Sequence, residues 1–399
     1  MSIRFSSRQD NIPRVAVLIE TSRKFGRGVL EGIIQYTRLF TSWHLFHLPG
    51  DMIQTLPDMK AWGGNGIIAR VSTPQMEKAI LATGLPVVGV TMTDKQRNKP
   101  SPCARFSEIR ADSVVAGKMA AEYFLEKQFE HFAFVGTIYP ENWSEQRGHG
   151  FIERLKESGK TCFRYAAVTK PQSQWGKEVG QLGKWLLSLP KPIALLAAMD
   201  IRGRQVISAC NEFGIRVPDD IAVLGIDNDE LICETCQSPM SSIHLDACQG
   251  GFKAAEMLDA MMTGKMKKPQ CFYVPATHVV ERQSTNVLMV SNEVVVDAVR
   301  YIVSNAMYPT SVADVTKHLH LSRKTVENHF KKTLNCTVLE CINRERIKRI
   351  KLLLTETNMT IQEIADKFSF SDASNLCKFF RRRCQMSMQT YRSHDRFSP

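Results

Sequence analysis

VTKHLHLSRKTVENHF, residues 315–330, and IADKFSFSDASNLCKFF, residues 364–380, are one structural pattern written twice. In the first copy Val315, Leu319 and Leu321 mark an apolar face, Ser322 stands where a helix cap belongs, and Val326 and Phe330 follow one turn apart. In the second, Ile364, Phe368 and Phe370 precede the cap candidates Ser371 and Asp372, and Leu376 and Phe380 repeat the four-residue spacing. The offset is 49 residues from Val315 to Ile364 and 50 from Val326 to Leu376, so the turns differ by one residue. A Ser or Asp at a cap accepts a hydrogen bond from an otherwise unpaired backbone N–H and so sets where each second helix starts. The pattern predicts two helix-turn-helix motifs, each with a second helix able to lie in the major groove of DNA.

With Val326 and Phe330 inward, helical spacing turns Lys324, Glu327 and Asn328 outward, and in the second copy Ser374, Cys377 and Lys378. These are the expected base-reading faces: Lys donates to guanine, Asn pairs with adenine, Glu accepts from cytosine and Ser is permissive. Arg323, Lys331, Lys332, Arg381, Arg382 and Arg383 flank them and suit phosphates, which position a protein without specifying sequence. Between the copies, Thr337 to Thr355 reads as one helix with Leu339, Ile342, Ile347, Ile350 and Leu354 on its buried side. Nineteen residues span roughly 28 Å, close to the ~34 Å turn of DNA that separates successive major grooves. One chain could then read a bipartite site. The plainer reading is a helical bundle whose apolar spacing serves packing alone; two motifs in register with basic flanks argue against it.

Residues 292 to 392 resemble the AraC/XylS family of transcription regulators, in HFKKTLNCT and in IADKFSFSDASNLCKFFRRRCQMSMQTYR. The chain departs from the family pattern at Ser369, Asn335 and Gln385, where Gly is usual, at Met388 in place of Pro, and at Asn328, often Arg. The resemblance implies sequence-specific binding to double-stranded operator DNA, with RNA polymerase as a further partner.

Composition agrees with a polyanionic partner. The 399 residues carry 43% hydrophobic side chains, enough for two or three cores, and a net charge of +12. From residue 286 to the end there are 18 Lys and Arg against 11 Asp and Glu, a net +7, so more than half the excess sits in that stretch. No apolar run approaches the roughly 20 residues a membrane span needs, and MSIRFSSRQDNIP lacks the apolar core of a signal peptide. A cytoplasmic protein without membrane contact is expected. The 11 cysteines, odd in number and mostly among apolar neighbours, read as reduced core residues. Cys233 and Cys236 form a CxxC with no second pair at zinc-finger distance, and Asp227, Asn228 and Asp229 lack the Gly and distant Glu of a calcium loop, so no metal is expected.

The first 285 residues alternate short β-rich runs with amphipathic helical stretches. RVAVLIE, GIIARV and PVVGVTM belong to one series and FAFVG, RYAAVT, ALLAAMD and IAVLGID to a second, each followed by a helical segment except the last. Such alternation predicts parallel sheets covered by helices, and two series predict two lobes. In open parallel sheets ligands bind beyond the carboxyl ends of the strands, which points to Glu20 and Ser22, Asp200, Asp227 and Asn228. Arg147 begins a helix after FAFVG, and Trp175 closes another strand region with an aromatic face. Carboxylates, an amide, an Arg and a stacking ring suit a ligand rich in hydroxyls, which both donate and accept. For each residue taken alone, a cap for the following helix is the competing role.

Residues 13 to 285 resemble the periplasmic-binding-protein-like effector domain of the LacI/GalR family, in RVAVLIETSRKFGRGVLEGI, RGHGFIERLKESG, PDDIAVLGIDND and VVERQST. That resemblance implies effector contacts from Arg147 and Asp227 and side-by-side dimerisation; Met199 replaces a frequent Asn before Asp200. A LacI-type domain first and an AraC-type domain last is the order found in sugar-responsive activators, which implies a homodimer and a small sugar effector, a pentose such as xylose. The expected organisation is a tail at 1–12, an α/β two-lobed effector domain at 13–285, a linker at 286–291, an all-α double helix-turn-helix domain at 292–392 and a tail at 393–399. Two rivals remain. Gly26, Gly28 and Gly32 after a strand resemble a dinucleotide-binding loop, but Thr21 to Phe25 separate them from the strand end and no Asp or Glu clearly ends a second strand at ribose distance. A sugar-binding protein whose tail merely packs would have no salt-dependent affinity for duplex DNA. No Gx4GK[ST], HExxH or GxSxG occurs, so neither a catalytic residue nor a cofactor is assigned.

Overall fold

The computed structural model describes residues 12–50, 54–138, 141–166, 175–286, 292–357 and 359–395. The chain divides into two compact units between residues 287 and 288.

In the first unit, runs such as RVAVL are apolar on both faces and become strands covered by helices on each side. The chain runs β1 (Arg14–Leu18), α1 (Lys24–Phe40), β2 (His44–Phe46), α2 (Met59–Trp62), β3 (Gly66–Ala69), α3 (Pro74–Thr83), β4 (Val87–Val90), α4 (Asp94–Arg97) and β5 (Ser107–Ala111). It continues through α5 (Ser113–Glu126), β6 (Phe132–Val135), α6 (Asn142–Glu157), β7 (Cys162–Tyr165), α7 (Trp175–Ser188), β8 (Ile193–Ala197), α8 (Asp200–Glu212), β9 (Ile221–Ile226), α9 (Glu230–Cys233) and β10 (Ser241–Leu245). Then come α10 (Ala247–Met262), β11 (Cys271–Val274) and β12 (Ala276–Val280).

These build two six-stranded sheets, ordered β11-β5-β4-β3-β1-β2 and β12-β10-β9-β8-β6-β7. Neighbours are parallel except β10 and β12, an antiparallel pair that the sequence alternation did not predict. The strands of each series stay in one sheet, but α5, which follows the first series, packs in the second lobe. The chain leaves the first lobe between β5 and α5, returns to it after β10 for α10 and β11, and leaves again for β12. Three crossings at one seam make a hinge.

The glycines of α1 have a packing reason. A Cβ on Gly32 would lie 1.9 Å from the Cys248 carbonyl oxygen, and one on Gly251 of α10 would lie 1.9 Å from that of Val29. Gly28 and Gly32 therefore let α1 and α10 touch along their backbones, which accounts for the glycines that resemble a dinucleotide loop.

The second unit is helical: α11 (Glu293–Ser304), α12 (Val312–His318), α13 (Arg323–Leu334), α14 (Val338–Glu356), α15 (Ile361–Lys367), α16 (Ala373–Cys384) and α17 (Met388–Asp395). It has two small cores. Val315, Val326 and Phe330 anchor the first, Ile364, Leu376 and Phe380 the second, and α14 feeds both, Cys341 and Ile342 into the first, Ile350 and Leu354 into the second. Leu339, expected on the buried side, is instead 52% exposed, and Val338 takes the inner position. Leu321 lies in the turn rather than on a helix face, its amide donating to the Thr316 carbonyl. Among the described residues no helix is long and apolar enough to cross a membrane.

Candidate effector cleft and nucleic-acid interface

Between the two lobes lies a cleft. Glu20, Arg23, Phe25, Arg70 and Thr91 line it from the first lobe, and Trp143, Arg147, Met199 and Asp227 from the second. Each comes from just beyond a strand or from a helix facing the strand ends, as the sheet topology requires.

Arg147 and Asp227 meet there. Arg147 Nη2 donates to Asp227 Oδ1 at 2.9 Å and Nη1 to the Ala198 carbonyl at 2.5 Å, and the guanidinium lies 4.8 Å from the Trp143 ring centroid. Asp227 and Asn228 hold φ of 113° and 49°, a sharp turn at the end of β9 that swings the Asp227 carboxylate toward the cleft. Burial pushes the Asp227 carboxyl above its ordinary range, and Arg147 beside it pulls it back. Arg70 Nε stands 2.8 Å from Glu20 Oε2. Arg147 Nε is buried with no hydrogen-bond partner among the described residues. That open donor beside an aromatic ring, with the Arg70–Glu20 pair opposite, is what a hydroxylated ring would use.

The other expected effector residues lie elsewhere. Asp200 is buried beneath the cleft, accepting from Ser242 Oγ at 2.5 Å and the Asp229 amide at 2.6 Å; burial, and then the charge of Asp227, raises its pKa well above the usual carboxylate range. It braces the ends of β8 to β10 instead of facing a ligand. Asn228 accepts from Arg282 Nη1 at 2.9 Å, and its amide donates to Ser242 Oγ, so it too is a brace. Ser22 is exposed and is not among the lining residues. Trp175 opens helix α7 rather than closing a strand, and its side chain lies outside the described residues. The ring in the cleft is Trp143, whose signal is its place four residues before Arg147 on one helix face. Arg70 was legible as the polar residue ending GIIAR.

In the second unit the two motifs repeat the same caps and turn geometry. Ser311 and Asp314 form a capping box on α12, Thr360 and Glu363 one on α15. His320 and Ser369 take left-handed φ of 53° and 56° in the turns, Asn335 and Gln385 of 50° and 56° after the second helices. Ser322 caps α13 through the Thr325 amide, and of the two candidates in the second copy Asp372 is the cap, through the Asn375 amide.

Lys324, Asn328, Ser374 and Lys378 are exposed along α13 and α16. Glu327 and Cys377 are not on those outer faces. Glu327 accepts from the Val338 amide at 3.2 Å, closing the start of α14, and Cys377 lies 4.0 Å from the Met388 sulfur at the start of α17. The two positions correspond, and both hold the next helix. Arg323, Lys331, Lys332, Arg381 and Arg382 are exposed; Arg383 is exposed too but lies over the Phe379 ring at 4.1 Å.

A two-lobed sheet domain with a ligand cleft, joined to paired helix-turn-helix motifs with basic flanks, defines a DNA-binding regulator of transcription. Residues 121–285 match the periplasmic binding protein-like domain, 14–106 the XylR N-terminal domain and 315–394 a helix-turn-helix domain. The chain thus places a periplasmic-binding-protein-like domain ahead of a helix-turn-helix domain. It is similar to the xylose operon regulatory protein of Haemophilus influenzae, 28% identical over 95% of this chain and 98% of that protein. It is 27% identical to the protein of that name in Escherichia coli K12, over 95% and 96% of the two. The solved structure of the xylose-binding transcription activator XylR is similar across 96% of this chain and 98% of that one, with 25% identity and a TM-score of 0.79.

Proposed function

We propose that this chain is a pentose-responsive activator that works in the cytoplasm as a homodimer, binding a small sugar, xylose first among candidates, between the lobes of its effector domain. The carrying observation is the buried Arg147–Asp227 pair beside Trp143 in the inter-lobe cleft, and the whole-length likeness to regulators of a xylose operon supports the choice of sugar. Arg147 and Asp227 would hold sugar hydroxyls, Trp143 would cover a ring face, and the Arg70–Glu20 pair would meet the sugar from the other lobe. A ligand touching both lobes favours the closed arrangement by its differential affinity for it. In a dimer that shift changes how the DNA-binding units meet tandem half-sites, and a correctly placed pair would contact RNA polymerase. Lys324, Asn328, Ser374 and Lys378 would read bases, and Arg323, Lys331, Lys332, Arg381 and Arg382 would hold phosphates.

The test is duplex binding by the intact chain to the DNA upstream of its own gene, with and without D-xylose and other pentoses, across a salt series. Tight, salt-sensitive binding altered by a pentose is expected, and Asp227→Ala should abolish the response while leaving sugar-free DNA affinity intact. Binding unaffected by any pentose removes the proposed effector. An absence of binding at every salt concentration returns the chain to the readings in which its tail only packs or it binds NAD.

A further inference from the structure

Arg346, at the middle of α14, is only 9% exposed, and no described carboxylate pairs with it. A guanidinium taken out of water without a counter-charge is costly unless its N–H groups are filled. Here two of them are filled, one from each side. Nη1 donates at 3.0 Å to the carbonyl of Tyr308, on the approach to α12, and Nη2 donates at 2.7 Å to the carbonyl of Phe368, which ends α15. The guanidinium carbon also lies 5.0 Å from the ring centroid of Phe370, the residue after the left-handed Ser369. The side chain sits where α14 passes from one core to the other, between Ile342 and Ile347.

We infer that Arg346 is a positioning residue that sets the two recognition helices relative to each other, by tying the turn of the second helix-turn-helix to the approach of the first. The two cores take different apolar side chains of one helix, with Met307 also packing on the second, and a planar fork with two fixed acceptors restrains rotation where apolar contacts alone would allow it. A charged donor at the end of α15 also complements the carbonyls left unpaired there. Arg346 touches no DNA in this role. Its effect is on the spacing that the two helices accept.

This inference rests on both motifs binding DNA. The intact chain is footprinted on its own upstream DNA to map the half-sites. Affinity is then measured for three duplexes: both half-sites at natural spacing, each half-site alone, and both with five base pairs inserted between them. The wild-type chain should prefer the natural spacing. Arg346→Met should lose about tenfold of that preference, the scale of one or two hydrogen bonds from a charged group, while keeping its affinity for each half-site alone. Arg346→Lys keeps charge and stem but lacks the fork; it should lose the same preference with an unchanged circular dichroism spectrum, so a folding failure of the Met variant does not end the test. Wild-type spacing preference in the Lys variant overturns the inference and leaves the DNA reading standing. Selective loss of the second half-site alone also overturns it, because Arg346 would then merely stabilise that motif. No duplex binding by the wild-type chain would overturn the DNA reading, and this inference with it.

Discussion

Ser369 and Gln385 carry left-handed φ of 56° each, where the AraC/XylS pattern has Gly. The turn bonds hold them there: the Ser369 amide donates to the Asp366 carbonyl and the Gln385 amide to that of Arg381. A non-glycine residue in this region costs about 1–2 kcal/mol, partly offset in a glycine variant by its greater unfolded-state entropy. Ser369→Gly should therefore raise the denaturation midpoint of the helical unit by up to about 1 kcal/mol of stability in urea titration, and no gain would mean the serine side chain compensates locally. At the same scale, Lys378→Ala should weaken DNA binding with relaxed preference at one base position, whereas Arg382→Ala should weaken all sequences alike and flatten the salt slope by about one unit. Equal behaviour of the two in salt-dependent binding would end the distinction between base and phosphate contacts. Local chemistry of this kind was largely legible in the chain, since caps and outward faces follow from spacing. Glu327 was misplaced because its partner, the Val338 amide, lies eleven residues on.

Among elements, the helices with strong periodicity were legible, the close-packed α1, α5 and α6 among them. The β5 segment, SEIRA, looks like surface because Glu108 and Arg110 interrupt it. In the fold Glu108 is buried, accepting from the Met92 amide at 2.7 Å and facing Arg97 at 3.3 Å, and burial pushes its carboxyl upward. Helix α10 was not assigned from the sequence; its Gly250 and Gly251 admit Val274 and the backbone of α1. The α5–α6 contact works in the same way. A Cβ on Gly117 would fall 2.1 Å from the Arg147 carbonyl oxygen, so Gly117→Ala should push α6 away and carry Arg147 with it. A loss of about 1–3 kcal/mol is expected from overpacking, with weaker pentose binding by calorimetry. Gly180→Ala is the control: its added methyl meets nothing within 4 Å, and thermal melting should show a gain of up to about 1 kcal/mol from helix propensity.

Across the whole effector domain, two ion pairs join the lobes beside the cleft. Arg27 of α1 reaches Asp229 at 2.8 Å, and Lys24 reaches Glu230 at 3.1 Å. Asp229 is nearly buried whereas Lys24 and Glu230 are more open, so the Arg27 pair carries more of the restraint. Arg27 does not line the cleft, yet Arg27→Met should lower pentose affinity by about three- to tenfold by weakening the closed arrangement. Titration calorimetry would read the loss, and small-angle scattering of the sugar-free variant should report a more open domain; unchanged affinity would show that these pairs do not bias closure. The sequence alone determined the order of domains, the paired motifs and the alternation of strand and helix, because periodicity, caps and charge act over a few residues. Only tertiary structure decided which polar residues face the cleft. Arg147 and Asp227 enter it together, while Asp200 and Asn228, equally polar and also at strand ends, turn into the seam, because long-range partners at Ser242, Asp229 and Arg282 claim their hydrogen bonds.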